Sequence, residues 1–300
     1  MSTRRTATLR RAVWIVAACL AWAGSAGAQK VVPLESPRWF TEAFAAYAYR
    51  DTVEDSVTDG TVTYTLAEQT LRSWQIGGLA TLNAGRGFGG RLRVFGGSTR
   101  LAQGTLRAES GEVTFRTEGF WRDPTRGQVG AGYAYSSISP DAPSPFTGGS
   151  VHGLPVFASL YMPDLGGGAV DWNASFLYTW TELEGFTGPV RQWAYDLRGG
   201  SIWYVNRFLA IDGGLRYLRA IQHAQPFDLL EGNLGLELLI PGGRRNYGTV
   251  ALGGSFGRIE NSNLPPPFTS MARFSWEIGI TATVMFPGVD SLIELNRAYR

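Results

Sequence analysis

The two histidines are the first place to look for acyl-transfer chemistry. His152 follows Ser150 in GGSVHG, and His223 precedes Asp228 in IQHAQPFD. A hydroxyl nucleophile needs a base within hydrogen-bond reach. Each pair supplies suitable residue types, but no flanking motif completes a triad. Both histidines fall at expected outer loops or strand ends, where a solvated histidine gives the same pattern. The sequence therefore assigns no catalytic residue and no enzymatic activity. The run DTVEDSVTDG gathers Asp51, Glu54, Asp55 and Asp59. Carboxylate oxygens suit calcium, but the spacing departs from D-x-[DN]-x-[DN]-G and reads as a solvated acidic loop. Zinc lacks its usual His and Cys ligands, so neither a metal nor a cofactor is expected. The runs GFGG (87–90) and LGGG (165–168) lack the lysine and hydroxyl of a phosphate loop. NLPPPF (263–268) reads as a stiff outer loop.

The remaining ionisable residues share a simpler feature, which is alternation with apolar ones. In FSWEIGITATVMF (274–286), Phe274, Trp276, Ile278, Ile280, Ala282, Val284 and Phe286 form one face, and Glu277 lies on the other. In EVTFRTEGFW (112–121), Glu112, Thr114, Arg116 and Glu118 oppose Val113, Phe115 and Trp121. Asp171 opposes Trp172 and Phe176, Asp212 and Arg216 oppose Leu215 and Tyr217, and Glu237 opposes Leu236 and Leu238. Arg91, Arg93 and Arg273 follow the same rule. Strict alternation is the signature of a strand with one apolar face. The charged set would therefore share one side of a single sheet.

About twelve such strands follow from the pattern, with ten and fourteen as neighbouring counts. The stronger ones run near 112–121, 168–180, 207–218, 231–240 and 274–286. The weaker ones run near 38–50, 71–83, 87–97, 127–138, 152–162, 194–205 and 247–258. At 10 to 13 residues they exceed the five or six typical of soluble proteins. They match the roughly 9 to 11 that a tilted strand needs to cross a bilayer. Short connections (83–87, 123–127, 163–167, 205–207, 241–246) alternate with long ones (51–70, 98–111, 139–151, 181–193, 219–229, 259–270). Asp123-Pro124 followed by Gly127 fits a tight turn.

The N-terminus reads as a secretory signal. Arg4, Arg5, Arg10 and Arg11 precede an apolar stretch, and Ala26-Gly27-Ala28 fits a cleavage site. The apolar run is too short for a spanning helix. Cleavage after Ala28 would remove Cys19 and leave no thiol or disulfide chemistry. It would also take four arginines and no acid, leaving 27 − 4 = 23 basic against 25 acidic residues, a net charge of −2. That balance gives no reason to expect a nucleic-acid partner.

Taken together, nearly the whole mature chain resembles a Gram-negative outer-membrane β-barrel. The most specific feature is ITATVMF. In that class the closing strand ends in alternating apolar residues finishing with Phe, which the barrel-assembly machinery reads; Ile280, Ala282, Val284 and Phe286 match. The chain departs by continuing for fourteen residues, PGVDSLIELNRAYR. Pro287-Gly288 is expected to break the strand there. The expected organisation is a signal peptide (1–28), a short periplasmic segment (29–37), an all-β transmembrane antiparallel up-and-down barrel (38–286) and a periplasmic tail (287–300). The resemblance implies an outer-membrane location, lipid around the barrel and a monomer. Arg91, Arg93, Glu112, Arg116, Glu118, Asp171, Asp212, Arg216, Glu237, Arg273 and Glu277 would then line the lumen. A passive channel or binding barrel for small polar solutes is the expected function. A closed structural or partner-binding barrel is the alternative, and a surface hydrolase stands behind both.

Overall fold

In lipid a strand has no water to satisfy its backbone, so each N–H and C=O must find a partner in the sheet, and the sheet must close. The chain meets that condition. A computed structural model describes residues 38–300 except 60, 67, 141–145, 163–168, 186–187, 223–224, 243–244 and 262–268. The expected signal, the 29–37 segment, His223, the proline loop and the LGGG run lie outside the described residues.

The strands are β1 (Trp39–Thr58), β2 (Thr63–Thr65), β3 (Gln69–Gly85), β4 (Phe88–Gln103), β5 (Leu106–Asp123), β6 (Gly127–Pro140) and β7 (Phe146–Met162). They continue with β8 (Ala169–Gly185), β9 (Gly188–Tyr204), β10 (Leu209–Gln222), β11 (Gln225–Ile240), β12 (Asn246–Asn261) and β13 (Ser270–Val289). Twelve of them pair antiparallel with their chain neighbours, and β13 pairs with β1 from Thr41↔Phe286 to Thr58↔Ser270, which closes the barrel. The short β2 adds only to the end of β1, at Ser56↔Thr65.

Alternation decides which residues meet lipid. On β13, Ile278, Ile280, Val284 and Phe286 are exposed while Ser275, Thr283 and Met285 are buried. Aromatic residues bracket the outward apolar band. Trp39 and Phe286 pack together near one rim, with Phe88, Trp121 and Trp203 also exposed. Tyr178, Trp193 and Tyr195 cluster toward the other. Trp193 and Trp203 are ten residues apart on β9. At a rise of about 3.3 Å per residue and a tilt of about 40°, that separation spans about 25 Å, the height of the apolar band of membrane barrels.

The strands run well past that band, which corrects the expected loops. β4 and β5 are joined by Gly104 and Thr105 alone, and strand occupies most of 98–111, 181–193 and 219–229. β1 likewise continues to Thr58 through much of the expected 51–70 loop. Beyond the lipid both faces of a strand meet water, so apolar alternation disappears while the hydrogen-bonded ladder continues. The outward residues there are charged, such as Arg100, which pairs with Glu109 at 2.7 Å, and Arg258, which pairs with Glu260 at 2.8 Å. At the opposite rim the turns are tight. Gly127 has φ 153°, and a Cβ there would lie 2.1 Å from the Ser159 carbonyl oxygen.

The C-terminus brings the second correction. Pro287-Gly288 does not end β13, which reaches Val289. Pairing with β12 shifts from Gly248↔Val284 to Asn246↔Val289, so Pro287 occupies a bulge where no ladder donor is needed. The chain then turns into the barrel as a short helix, α1 (Leu292–Glu294), continued by a π-helical turn, Leu295–Tyr299. Ser291 caps it, its Oγ accepting from the Glu294 N–H at 3.1 Å. Leu292, Leu295 and Ala298 are 0% exposed and pack with Phe40, Leu79, Tyr204, Leu239, Met285 and Val289. The apolar core thus lies inside the tight-turn end, with the tail at its centre.

Single cysteines along 276–284 test this register. A membrane-restricted reagent should label positions 278, 280 and 282 and spare 279 and 281; equal labelling of both sets would contradict it.

Candidate functional site

Polar anchors hold the C-terminal segment within the lumen. Arg297, whose side chain is 1% exposed, donates from Nε and Nη2 to Asp171 Oδ1 at 2.9 and 2.6 Å. Tyr204 Oη donates to the other oxygen of Asp171 at 2.6 Å. Arg122 on β5 donates from Nη1 to the Ala298 carbonyl at 2.6 Å and stacks over Phe120 at 4.6 Å. Arg300 reaches Glu237 on β11 at 2.6 Å and Glu42 on β1 at 3.1 Å. Burial works against the Arg300 charge, but Glu237 and Glu42 outweigh it and raise the pKa above its ordinary value. Contacts to β1, β5, β8 and β11 fasten the segment around much of the barrel. It forms a plug.

Above the plug lies water-accessible space. Two adjoining cavities of about 620 and 420 Å³ share Asp212, Glu231, Asn233 and Glu277 in their walls. Asn296 and Arg300 line the larger one, so the plug forms part of its floor. The space exists because the inward positions of this half of the barrel are small, among them Gly214, Gly235, Gly253 and Gly279. Ion pairs cross its walls. Arg50 meets Glu277 at 2.9 Å, Arg216 meets Glu231 at 3.2 Å, and Asp196 receives Arg198 at 2.6 Å and Arg216 at 2.9 Å. The Arg198 side chain is 54% exposed into this space.

The eleven residues singled out by alternation fall into separate groups. Asp212, Arg216, Glu237 and Glu277 belong to the chamber. Asp171 belongs to the plug anchor. Arg91, Arg93, Arg116 and Glu118 form a wall on β4 and β5, where Glu118 pairs with Arg91 at 3.2 Å and also with Arg116. Glu112 accepts from Thr114 at 2.7 Å. Arg273 lies toward the far rim, paired with Asp55 at 2.8 Å and with Gln69. Sequence reasoning missed Arg50, Arg122, Asp196 and Glu231, although each keeps the inward parity of its strand. Arg297 and Arg300 carried no such signal.

The other candidates resolve differently. His152, expected at a loop or strand end, lies well inside β7, which begins at Phe146, and faces outward. It stacks on Trp180 at 5.1 Å and 6°, and Nδ1 is 2.6 Å from Tyr133 Oη. Ser150 Oγ is 3.3 Å from Nε2. The acidic run is dispersed. Asp55 points inward to Arg273, while Asp59 caps the turn before β2 by accepting from the Val62 and Thr61 N–H groups at 2.8 and 2.9 Å. Those bonds hold the Asp59 carboxyl down to about 2. Its contribution to the turn is therefore present above the ordinary carboxylate range and is lost as pH falls through about 2.

Comparison with solved structures finds closed outer-membrane barrels. An outer-membrane channel from Pseudomonas putida F1 aligns with a TM-score of 0.59 at 9% identity, covering 87% of this chain and 100% of that one. The translocator domain of the autotransporter NalP from Neisseria meningitidis gives 0.49 at 10% identity, covering 80% and 87%. The toluene transporter TodX of P. putida gives 0.45 at 9% identity, covering 84% and 91%. The first of these likenesses concerns fold: with the closed twelve-strand sheet, it gives the chain the architecture of Gram-negative outer-membrane β-barrels. No protein-family model matches the sequence, and no curated protein matches it.

The Arg297–Asp171 anchor makes a testable case. Removing one partner of a buried pair strands the other charge at a cost of about 3–5 kcal/mol, whereas replacing both with apolar residues costs far less. Arg297→Met should lower the denaturant midpoint of the refolded barrel, and adding Asp171→Leu should restore most of the loss. Equal losses in the single and double variants would contradict the anchor.

Proposed function

We propose that this protein is an outer-membrane barrel that admits small polar solutes to a lumenal chamber, with its C-terminal segment as the gate. One observation carries the reading: a polar cavity of about 620 Å³ has Asn296 and Arg300 of the plug in its lining. Barrels of eight strands are filled by their side chains, and those of sixteen to eighteen leave open channels. Twelve strands leave room for either a lumen or a plug, and this chain has some of each. The charged pairs suit polar solutes, whereas an apolar solute would have to strip water from several guanidinium and carboxylate groups.

The same reading covers delivery and placement. Residues 1–28 act as a secretory signal, and Ile280, Ala282, Val284 and Phe286 present the pattern read by the barrel-assembly machinery. All four lie on the outward face of the strand that closes on β1. The tight-turn end, with its plug, faces the periplasm. The barrel works as a monomer and without chemistry.

Packing favours one second reading. Leu292, Leu295 and Ala298 are 0% exposed, so a plug that never moves would make the barrel a closed structural component. Planar-bilayer recording separates the two. The full chain should be silent or only rarely open, and deletion of 290–300 should give discrete, reproducible steps. If the deletion prevents folding, Glu42→Gln with Glu237→Gln, which releases Arg300 alone, should raise the open probability. A folded barrel that stays silent in both variants would overturn the gated-channel reading.

A further inference from the structure

We propose that the inner wall of β4 and β5 is an oxyanion subsite, so that the solutes of this chamber carry a carboxylate or phosphate group. The inference rests on the lumenal reading above and narrows it. Four arginines, Arg91, Arg93, Arg116 and Arg122, face inward on these two strands. Among the described residues one carboxylate, Glu118, pairs with this group, and it is shared between Arg91 and Arg116. Arg122 is occupied by Gln128 and the Ala298 carbonyl. Arg93 sits directly opposite Arg116 in the strand register. Like charges in that position destabilise a sheet. Glu42 on β1 also acts electrostatically on Arg93, but it is shared with Arg300, which pairs with it at 3.1 Å.

The second observation is at Arg91. Its side chain is only 10% exposed, yet Nε and Nη2, closed off from solvent, have no hydrogen-bond partner among the described residues. A guanidinium is a fixed fork of donors, and leaving buried ones unpaired is unfavourable. The head group is held by aromatic faces, Phe120 at 5.4 Å and Phe157 at 5.7 Å, and Phe157 also lines the larger cavity. Rigid support, unused donors and uncompensated positive charge are what bidentate recognition of a carboxylate or phosphate requires. Arg116, whose side chain is 29% exposed, opens this wall toward the lumen, and water there could not offset the Arg93–Arg116 repulsion. Apart from Glu112, which accepts from Thr114, and the shared Glu118, the acidic residues of the lumen lie on other strands: Glu42 on β1, Asp171 on β8, Asp196 on β9, Asp212 on β10, Glu231 and Glu237 on β11, Glu277 on β13.

The test uses the full chain refolded in zwitterionic detergent, titrated calorimetrically with inorganic phosphate and with succinate against chloride at equal ionic strength. At least one oxyanion should bind, and which one binds identifies the head group. Arg93→Gln with Arg116→Gln should weaken binding at least tenfold, and Arg93→Gln, which removes a repulsion without breaking an ion pair, should leave the unliganded unfolding midpoint unchanged or raised. If that variant does not fold, Arg93→Gln alone should show the same direction. A fallen midpoint with unaltered binding would make Arg93 structural and overturn the subsite. Asn233→Cys separates this failure from a wider one. Labelling by a hydrophilic maleimide together with no oxyanion binding would overturn the subsite and leave the chamber standing. An unreactive thiol at position 233 in a folded barrel would overturn the chamber itself, and the subsite with it.

Discussion

The pairing of β13 with β1 is the interaction on which the rest depends. A membrane sheet with open edges would leave a row of unsatisfied N–H and C=O groups in hydrocarbon, each costing several kcal/mol. Closure removes the edges and fixes everything downstream. The pleat sends alternate residues to lipid and to the interior. With twelve strands the interior is too wide for wall side chains alone to fill it throughout. The chain answers this in two ways, with large charged residues on β4 and β5 and with its own C-terminal segment at the tight-turn end.

That segment turns a tube into a vessel. Its apolar face supplies a core, and its arginines supply directional anchors to strands that are not neighbours. The ion pairs differ in consequence. Arg297–Asp171 is almost fully buried, so it is costly to break from one side and fixes the position of the helix. The Arg300 pairs are more exposed, at 25% for the arginine, and border the water-accessible cavity. A plug held firmly at its base and more loosely at its chamber-facing end is a natural arrangement for a gate that a solute could influence.

Much of this was legible in the sequence, for a physical reason. Lipid imposes a period of two on every strand, so the twelve strands, their inward parity and the tight turns at 83–87 and 123–127 could be read directly. Loop lengths could not, because beyond the lipid both faces of a strand are wet and the ladder continues without alternation, as between Arg100 and Glu109. The plug was unreadable for a different reason. Ile293, Leu295 and Tyr299 are apolar at spacings that fit a strand or a helix, and only the closed barrel around them decides which. Arg122 and Asp196 were open to the parity rule that identified Arg116 and Asp212. His152, read as a solvated residue at a loop or strand end, is part of the outward aromatic girdle, where its ring stacks on Trp180.

The most direct test of the central claim, that residues 290–300 plug the barrel, is hydrogen–deuterium exchange of the C-terminal peptide in the refolded full-length protein, read by mass spectrometry. Amides that donate within the plug, such as Leu295 to Ser291 and Arg300 to Leu295, should be protected to nearly the degree of β13. Exchange of the whole segment within seconds, while the strands remain protected, would mean a free tail and an unplugged lumen.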